Sequence, residues 1–530
     1  MFDVLIVNGR VVDGTGNPPF RADVAIAGGK IAAVGKLAGA TAATTIDARG
    51  QIVCPGLIDI HSHADWTLLV DPRAESAVRQ GVTTVVLGNC GHSAAPLRSP
   101  SDVSNVVLGY LRDDGVAVRW RRFGEYLDVV QQRRPAVNVA SLVGHNAVRV
   151  AAMGYETRPA TEDEVAAMQR LVAEALDDGA VGFSTGLEYT PGNSATTEEI
   201  VALCRVAADR DKFYATHVRQ RDYQALEAAR EAFQIVEASG VRLLFSHMPP
   251  RVWAPRRAAE EMLGMIERAA ERGLDASFDS IVYTWGASTL AGGMLPRWAF
   301  EGGIQATLAR LRDPAARERI KAHRTPMFKS VVTGHWDKLV LYYSERNPQY
   351  CGRTFAEIGR DRGKDPHDAI LDVMAEEGEG LYGMMWAGEA FDEREMAEAL
   401  RHPLCIIESD GLTLAHDGPL ARMHHPFTYG WTARALGQYV REQRLMPLEE
   451  AIRKMTSFPA QKLGLRDRGL LREGLWADVV VFDPSTVRDN TTLADPDAYP
   501  SGFSWVLVNG QVVFDGHRQT EARPGAVLRC

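Results

Sequence analysis

Short, near-continuous apolar runs recur through the middle of this chain, and most end in a polar residue. They fall at 57–63 (LIDIHSH), 83–90 (TTVVLGNC), 138–146 (NVASLVGHN), 180–187 (AVGFSTGL), 213–219 (FYATHVR), 242–249 (RLLFSHMP), 275–284 (DASFDSIVYT) and 404–411 (LCIIESDG). Runs without strict alternation suit strands buried on both faces of a parallel sheet. Between several of them the period lengthens to that of a helix. Residues 161–179 predict one helix, with Thr161 as its cap, Glu164 at the capping-box position and Gly179 as its stop. Residues 223–240 predict another. Eight strands alternating with crossovers predict an α/β fold, a (β/α)8 TIM-like barrel.

The two chain ends read differently. DVLIVNGRVVDG and ADVAIAGGKIAAVG are apolar runs broken at Asn8-Gly9 and Gly28-Gly29, which predicts hairpins. The same style returns at 477–484 and 504–516, with a turn at Asn509-Gly510. Both ends are therefore expected to build one small β-sandwich domain. Residues 1–54 supply its N-terminal part and 466–530 its C-terminal part, around a barrel of 55–465. Two intervals are long. Residues 91–137 hold an aromatic-rich helix near Trp120 to Val130, and 285–403 exceed a plain crossover between strands seven and eight. Residues 285–345 are expected to form an inserted lid subdomain, with Gly292-Gly293 and Gly302-Gly303 as hinges.

Composition narrows the function classes. Of 530 residues, 45% are apolar and 24% charged, and the net charge is -9. That is ordinary for a globular protein and offers no basic surface for nucleic acid or an anionic membrane. No apolar run reaches the length of a membrane span. MFDVLIVNGR has an early acid and no cleavage site, so no signal peptide is read. Six cysteines, at 54, 90, 204, 351, 405 and 530, form no CxxC pair, which suits a reducing, cytoplasmic compartment.

The polar residues that end the runs carry the chemistry. Active sites of this architecture lie at the C-terminal strand ends. Those ends hold His61 and His63, Cys90, His145, His217, His247, Tyr283 and Asp410. Taken singly, each is more often a packing or hydrogen-bonding residue; together at strand ends they predict a metal site. Thiolate and imidazole suit Zn²⁺. Cys90, His217 and His247 supply three protein ligands, and His61, His63 and Asp410 are candidates for a second, adjacent position. Asp410 also suits the role of general base and acid beside a metal-activated water. Glu408 shares its face but sits deeper. No glycine-rich nucleotide motif is present.

With these residues assembled, the chain resembles the amidohydrolase superfamily, in particular its N-acyl-D-amino-acid deacylase (D-aminoacylase) family. The resemblance covers VNGRVVDGTG, PGLIDIHSHAD, GVTTVVLGNCG, LVGHNAVR, GAVGFSTGLEYTPG, ATHVR, FSH, ESDG, MTSFPAQKLGLRDRG and GLWADVVVFD. It implies that Cys90, His217 and His247 match the tightly held zinc, that His61, His63 and Asp410 match a second site, and that Asp410 matches the acid/base. Many superfamily members carry a bridging lysine on strand four; 180–187 has none, in line with the branch that uses the cysteine. Tyr283 matches a tyrosine that contacts the substrate carboxylate. The implied reaction is zinc-dependent hydrolysis of an N-acyl-D-amino acid to a carboxylate and a free D-amino acid, with metal-bound hydroxide as nucleophile.

Two departures bear on the substrate. Family members usually carry a lysine shortly after the strand-six histidine, where this chain reads SHMPPR. They also carry His-Pro-Arg after the catalytic aspartate, where this chain reads His425-Pro426-Phe427. Arg251, Arg422, Arg219 or Arg149 are candidates to replace those cations, because an unpaired buried carboxylate is costly. The substrate-contact set expected from the sequence is Tyr283, His145, Arg219, Arg251 and His425. The alternatives are a neutral amide, lactam or urea at the same site, a nucleobase-type deaminase, and a metal-binding barrel without catalysis. The expected partner is a small-molecule amide, with neither nucleic acid nor membrane, and a homo-oligomer stays open.

Overall fold

A computed structural model describes residues 1–108, 114–324, 330–493 and 495–529. Eight parallel strands position the site: β1 (Leu57–Asp59), β2 (Val82–Leu87), β3 (Asn138–Ser141, resumed at Val143–Gly144), β4 (Gly182–Gly186), β5 (Phe213–His217), β6 (Arg242–Phe245), β7 (Ala276–Ser280) and β8 (Cys405–Ile407). The strands β1, β2 and the first part of β3 form one parallel sheet, and the second part of β3 leads a second one through β4 to β8 in order. At the far edges Ser62 and Gly411 form a parallel bridge. There Asp410 N donates to His61 O at 3.0 Å and His63 N to Gly411 O at 2.7 Å. Asp59 pins the same seam, accepting Ser409 Oγ at 2.6 Å and Ser409 N at 3.1 Å.

Successive side chains of a strand point to opposite faces. Ile58, Val86, Ala140, Phe213, Ala215, Leu244 and Ile406 accordingly meet in one buried cluster. Their neighbours Leu57, Val85, Val139, Tyr214, Leu243 and Cys405 pack outward into a larger cluster. The intervening helices are α1 (His145–Met153), α2 (Glu162–Asp177) and α3 (Ala225–Ser239); α2 and α3 follow the sequence signals, whereas α1 begins inside the run expected as strand to 146. Thr161 caps α2: its Oγ1 accepts Glu164 N at 3.3 Å while Glu164 Oε2 accepts Thr161 N at 2.8 Å. Gly240, at φ +74°, closes α3. The aromatic-rich helix spans Phe123–Gln132, three residues later than its expected start at Trp120.

The chain ends meet in two sheets. Gln511–Phe514, Phe503–Val508, Val479–Phe482, Ile52–Pro55, Arg10–Val11 and Phe20–Arg21 lie side by side in that order; Lys30–Gly35, Asp23–Ala27, Phe2–Val7 and Ala42–Asp47 form the other. Val4, Ile6, Val24 and Ile46 of one share a buried cluster with Val11, Val53, Val479 and Leu507 of the other. Gly28-Gly29 and Asn509-Gly510 make the expected hairpin turns. Asn8-Gly9 does not. Phe2–Val7 and Arg10–Val11 belong to different sheets, so this turn carries the chain across the apolar interior. The expected boundary at 54 falls inside the strand Ile52–Pro55.

The insertion is also longer than expected. Trp285–Thr289, Met385–Glu389, Leu339–Tyr343 and Arg353–Thr354 form one antiparallel sheet, so the boundary at 345 divides it. Residues 325–329 of the expected lid lie outside the described residues, as does Cys530. Gly293 packs closely against the insertion: a Cβ there would come within 2.2 Å of the Trp386 ring. Among the described residues no helix is long and apolar enough to cross a membrane, and the five described cysteines are free.

Candidate metal centre

The strand ends deliver the donor atoms. After β2, Gly88 turns the chain at φ +77°, where a Cβ would meet the Leu142 carbonyl at 1.9 Å. Asn89 then fixes the turn by donating from Nδ2 to Val86 O at 2.9 Å and Ile60 O at 3.3 Å. Cys90 follows at φ +51°, His247 stands two residues past β6 at φ +34°, and Asp410 three past β8 at φ +53°. Left-handed backbone costs a non-glycine residue about 1–3 kcal/mol and gathers at functional sites. Here three such residues converge.

His217 Nδ1 lies 3.0 Å from His247 Nε2 and 3.8 Å from Cys90 Sγ, and Cys90 Sγ lies 3.4 Å from His247 Nε2. Ligand bonds of about 2.0–2.3 Å around a tetrahedral ion place neighbouring donors about 3.3–3.8 Å apart; the two sulfur–nitrogen separations fall in that range, and the two histidine nitrogens stand slightly closer. A second group overlaps the first. Donor atoms of His61, Cys90, His247 and Asp410 all lie within 4.8 Å of one another. His61 Nε2 is 3.2 Å from Cys90 Sγ, and His63 Nε2 is 3.1 Å from Asp410 Oδ1. All are buried except Asp410, whose side chain is 17% exposed.

The charges at Cys90, Asp410 and His247 agree with the donor chemistry, whereas His61 and His63, although lowered by burial, are raised by the anions Cys90, Asp279 and Asp410, His63 to about 9, which favours their protonated forms. Burial raises the Cys90 thiol, but the imidazoles of His61, His217 and His63 outweigh it and hold Cys90 well below an ordinary thiol. Burial likewise raises Asp410, and His63, with His61, outweighs it to hold the carboxyl at about 2. Burial, then Arg221 and His217, keeps His247 neutral, as a metal ligand must be. Glu408 is fully buried with neither carboxyl oxygen bonded, so burial pushes it well above the carboxylate range.

Three partners were not foreseen. Glu188 Oε2 accepts from His217 Nε2 at 2.8 Å, and Arg251 holds Glu188 at 2.7 and 2.8 Å. Asp279 Oδ2 meets His61 Nδ1 at 3.3 Å, and its other oxygen accepts the His247 amide. Arg221 donates to the His247 and Pro249 carbonyls. Glu188 lies in the quoted GFSTGLEY segment, and Asp279 lies in the seventh strand, whose end was assigned to Tyr283.

The expected substrate contacts divide. His425, whose Nδ1 is buried and unbonded, lies near Asp410, and burial lowers it to about 3, so the ring is neutral. The others are turned to internal partners. His145 opens α1 and meets Glu199 at 2.8 Å. Arg149 meets the same carboxylate at 2.6 Å, and Arg219 pairs with Glu231 at 2.8 Å. The Tyr283 hydroxyl donates to Asp489 at 3.2 Å. Arg251 is held by Glu188. A cavity of 80 Å³ shares Glu188 with the cluster and is lined also by His92, Tyr189, Asn193 and Arg297. A cavity of 1240 Å³ opens at the opposite strand ends beside Lys212 and Arg242, away from these donors.

Residues 44–514 match the family model described as the amidohydrolase family. The chain is 35% identical over 527 residues to a D-aminoacylase of Alcaligenes xylosoxydans xylosoxydans, covering 99% of this chain and 97% of that one. It is 36% identical over 530 residues to an N-acyl-D-glutamate deacylase of the same organism, covering 99% and 96%. A crystal structure of N-acyl-D-glutamate deacylase from Bordetella bronchiseptica, complexed with zinc and a phosphonate mimic of the tetrahedral intermediate, superposes with a TM-score of 0.83 at 34% identity, covering 100% of each chain.

Proposed function

The chain belongs to the amidohydrolase family, and on that premise we propose that it hydrolyses the amide bond of an N-acyl-D-amino acid, with Asp410 as general base and acid. The observation that carries this reading is the convergence of Cys90, His217 and His247 beside a carboxylate that keeps a partly open face. A hydrolase acting on C–N bonds other than peptide bonds is the shared class of its full-length relatives.

Cys90, His217 and His247 would hold the zinc, with His61, His63 and Asp410 around a second position. When bound, zinc lowers the pKa of water toward about 7 and polarises an acyl oxygen. The chain's own residues do the rest. Glu188 and Asp279 fix the ring orientations of His217 and His61. Asp410, ionised and hydrogen-bonded to His63, takes the proton of the attacking water and returns it to the departing nitrogen. His425 stands near that carboxylate, and Arg297 at the cavity wall is placed to meet the amino-acid portion.

The same reading closes the eight strands into a (β/α)8 barrel, supported by the Ser62–Gly411 bridge and the Asp59–Ser409 pin across the seam. It takes the two chain ends as one small β domain, supported by their shared six-stranded sheet. The test is a panel of N-acyl-D- and N-acyl-L-amino acids, neutral anilides, lactams and nucleobases on zinc-loaded protein. Turnover confined to the D-acids is the expected result. Turnover of lactams or release of ammonia from nucleobases, without D-acid hydrolysis, would reject it.

A further inference from the structure

Arg221 differs from the carboxylate-paired arginines around the centre. Arg251 pairs with Glu188, Arg149 with Glu199, Arg219 with Glu231, and Arg434 with Asp489. Arg221 is only 6% exposed, yet among the described residues no carboxylate comes within ion-pair distance of it. Its Nη2 donates to two neutral carbonyls, those of His247 and Pro249. Its Nε is buried with no partner, while Nη1 is unbonded and not sealed from accessible space. The guanidinium lies 5.0 Å over the Phe391 ring. A buried guanidinium with no carboxylate in contact is unfavourable, and an anion that reaches its unbonded donors relieves that cost.

The place is informative. The carbonyls that hold Arg221 belong to the segment after β6, which also carries His247. Asp410, Glu188 and Tyr189 are close enough for their charges to act on it. The guanidinium therefore stands at the rim of the metal cluster with donors to spare. We infer that Arg221 is the receptor for the carboxylate of the substrate, so that the cation missing from SHMPPR is supplied from the loop after β5; this rests on the N-acyl-amino-acid reading above. Arginine presents a planar fork suited to a carboxylate, whereas a neutral amide or lactam would leave the charge uncompensated.

The experiment compares zinc-loaded wild type, Arg221→Met and Arg221→Lys on N-acetyl-D-amino acids and on their carboxamides. Binding of the same acids is measured calorimetrically in an Asp410→Asn background, and zinc content is measured throughout. Arg221→Met should lose about a hundredfold in kcat/KM on the acids, mainly through KM, and less than about threefold on the carboxamides. Arg221→Lys should recover part of the loss, with zinc content unchanged. Equal losses on acids and carboxamides, or loss of zinc, would reduce Arg221 to a clamp on the His247 loop and overturn the inference. So would unchanged kinetics on the acids. If wild type turns over nothing but binds the acids, and Arg221→Met abolishes that binding, the proposed reaction fails while the receptor stands. If wild type hydrolyses amides and Arg221→Met leaves acid binding intact, the reaction stands and the receptor fails.

Discussion

Glu188 Oε2 accepts a hydrogen bond from His217 Nε2 at 2.8 Å, which leaves Nδ1 of that ring facing Cys90 and His247. Arg251 holds the same carboxylate at both oxygens. Burial would raise Glu188, but Arg251 and His217 outweigh it and keep it ionised. The tautomer of His217 is thus set by a residue that itself touches no donor of the cluster other than that ring.

Glu188→Gln should therefore lower zinc affinity by about 10–100-fold, the usual cost of losing a carboxylate behind a metal-bound histidine. Competition with a chelator of known affinity reads this directly. An unchanged zinc affinity would remove Glu188 from the support of His217.

Asp410→Asn should keep the fold and most of the zinc, because Cys90, His217 and His247 do not depend on it. Turnover should fall by roughly 10²–10⁴-fold, the span of a positioned general acid–base. Near-normal turnover with full zinc would reject the proton-transfer role.

Lys462 gives a stability prediction away from the centre. Burial lowers its pKa from 10.5 to about 8, which the nearby Asp275 offsets only in part. Between those values the unfolded chain binds a proton that the folded chain does not, so stability rises with pH there. The cost is fully present below about pH 8 and is gone above 10.5. The stability of Lys462→Met relative to wild type should therefore fall by roughly 3 kcal/mol between about pH 8 and pH 10.5. Urea melts of both proteins repeated across that range read the difference. A difference that does not change with pH would show that the lysine is not buried as described.

The sequence made some of this legible and hid the rest for physical reasons. Strand-end residues such as Cys90 and His217 could be found because each apolar run stops where the donor stands. The cap of α2 was readable because Thr161 and Glu164 interact over three residues. Partnerships across the chain were not readable. Arg219 and Arg251 looked available for a substrate, but Glu231 and Glu188 claim them, and nothing local announces which carboxylate folds onto which arginine. Asn8-Gly9 carries a hairpin signature yet crosses between sheets, since the apolar pairing of Val11 with Val53 outweighs local turn preference. The insertion boundary failed similarly, because Met385–Glu389 returns from far along the chain to complete its sheet.

The proposed reaction requires that a thiolate and imidazoles share one zinc. X-ray absorption at the zinc edge of the loaded protein tests it most directly. The prediction is one sulfur ligand at about 2.3 Å with nitrogen ligands at about 2.0–2.1 Å, the sulfur disappearing in Cys90→Ser. A first shell of nitrogen and oxygen alone in wild type would contradict it.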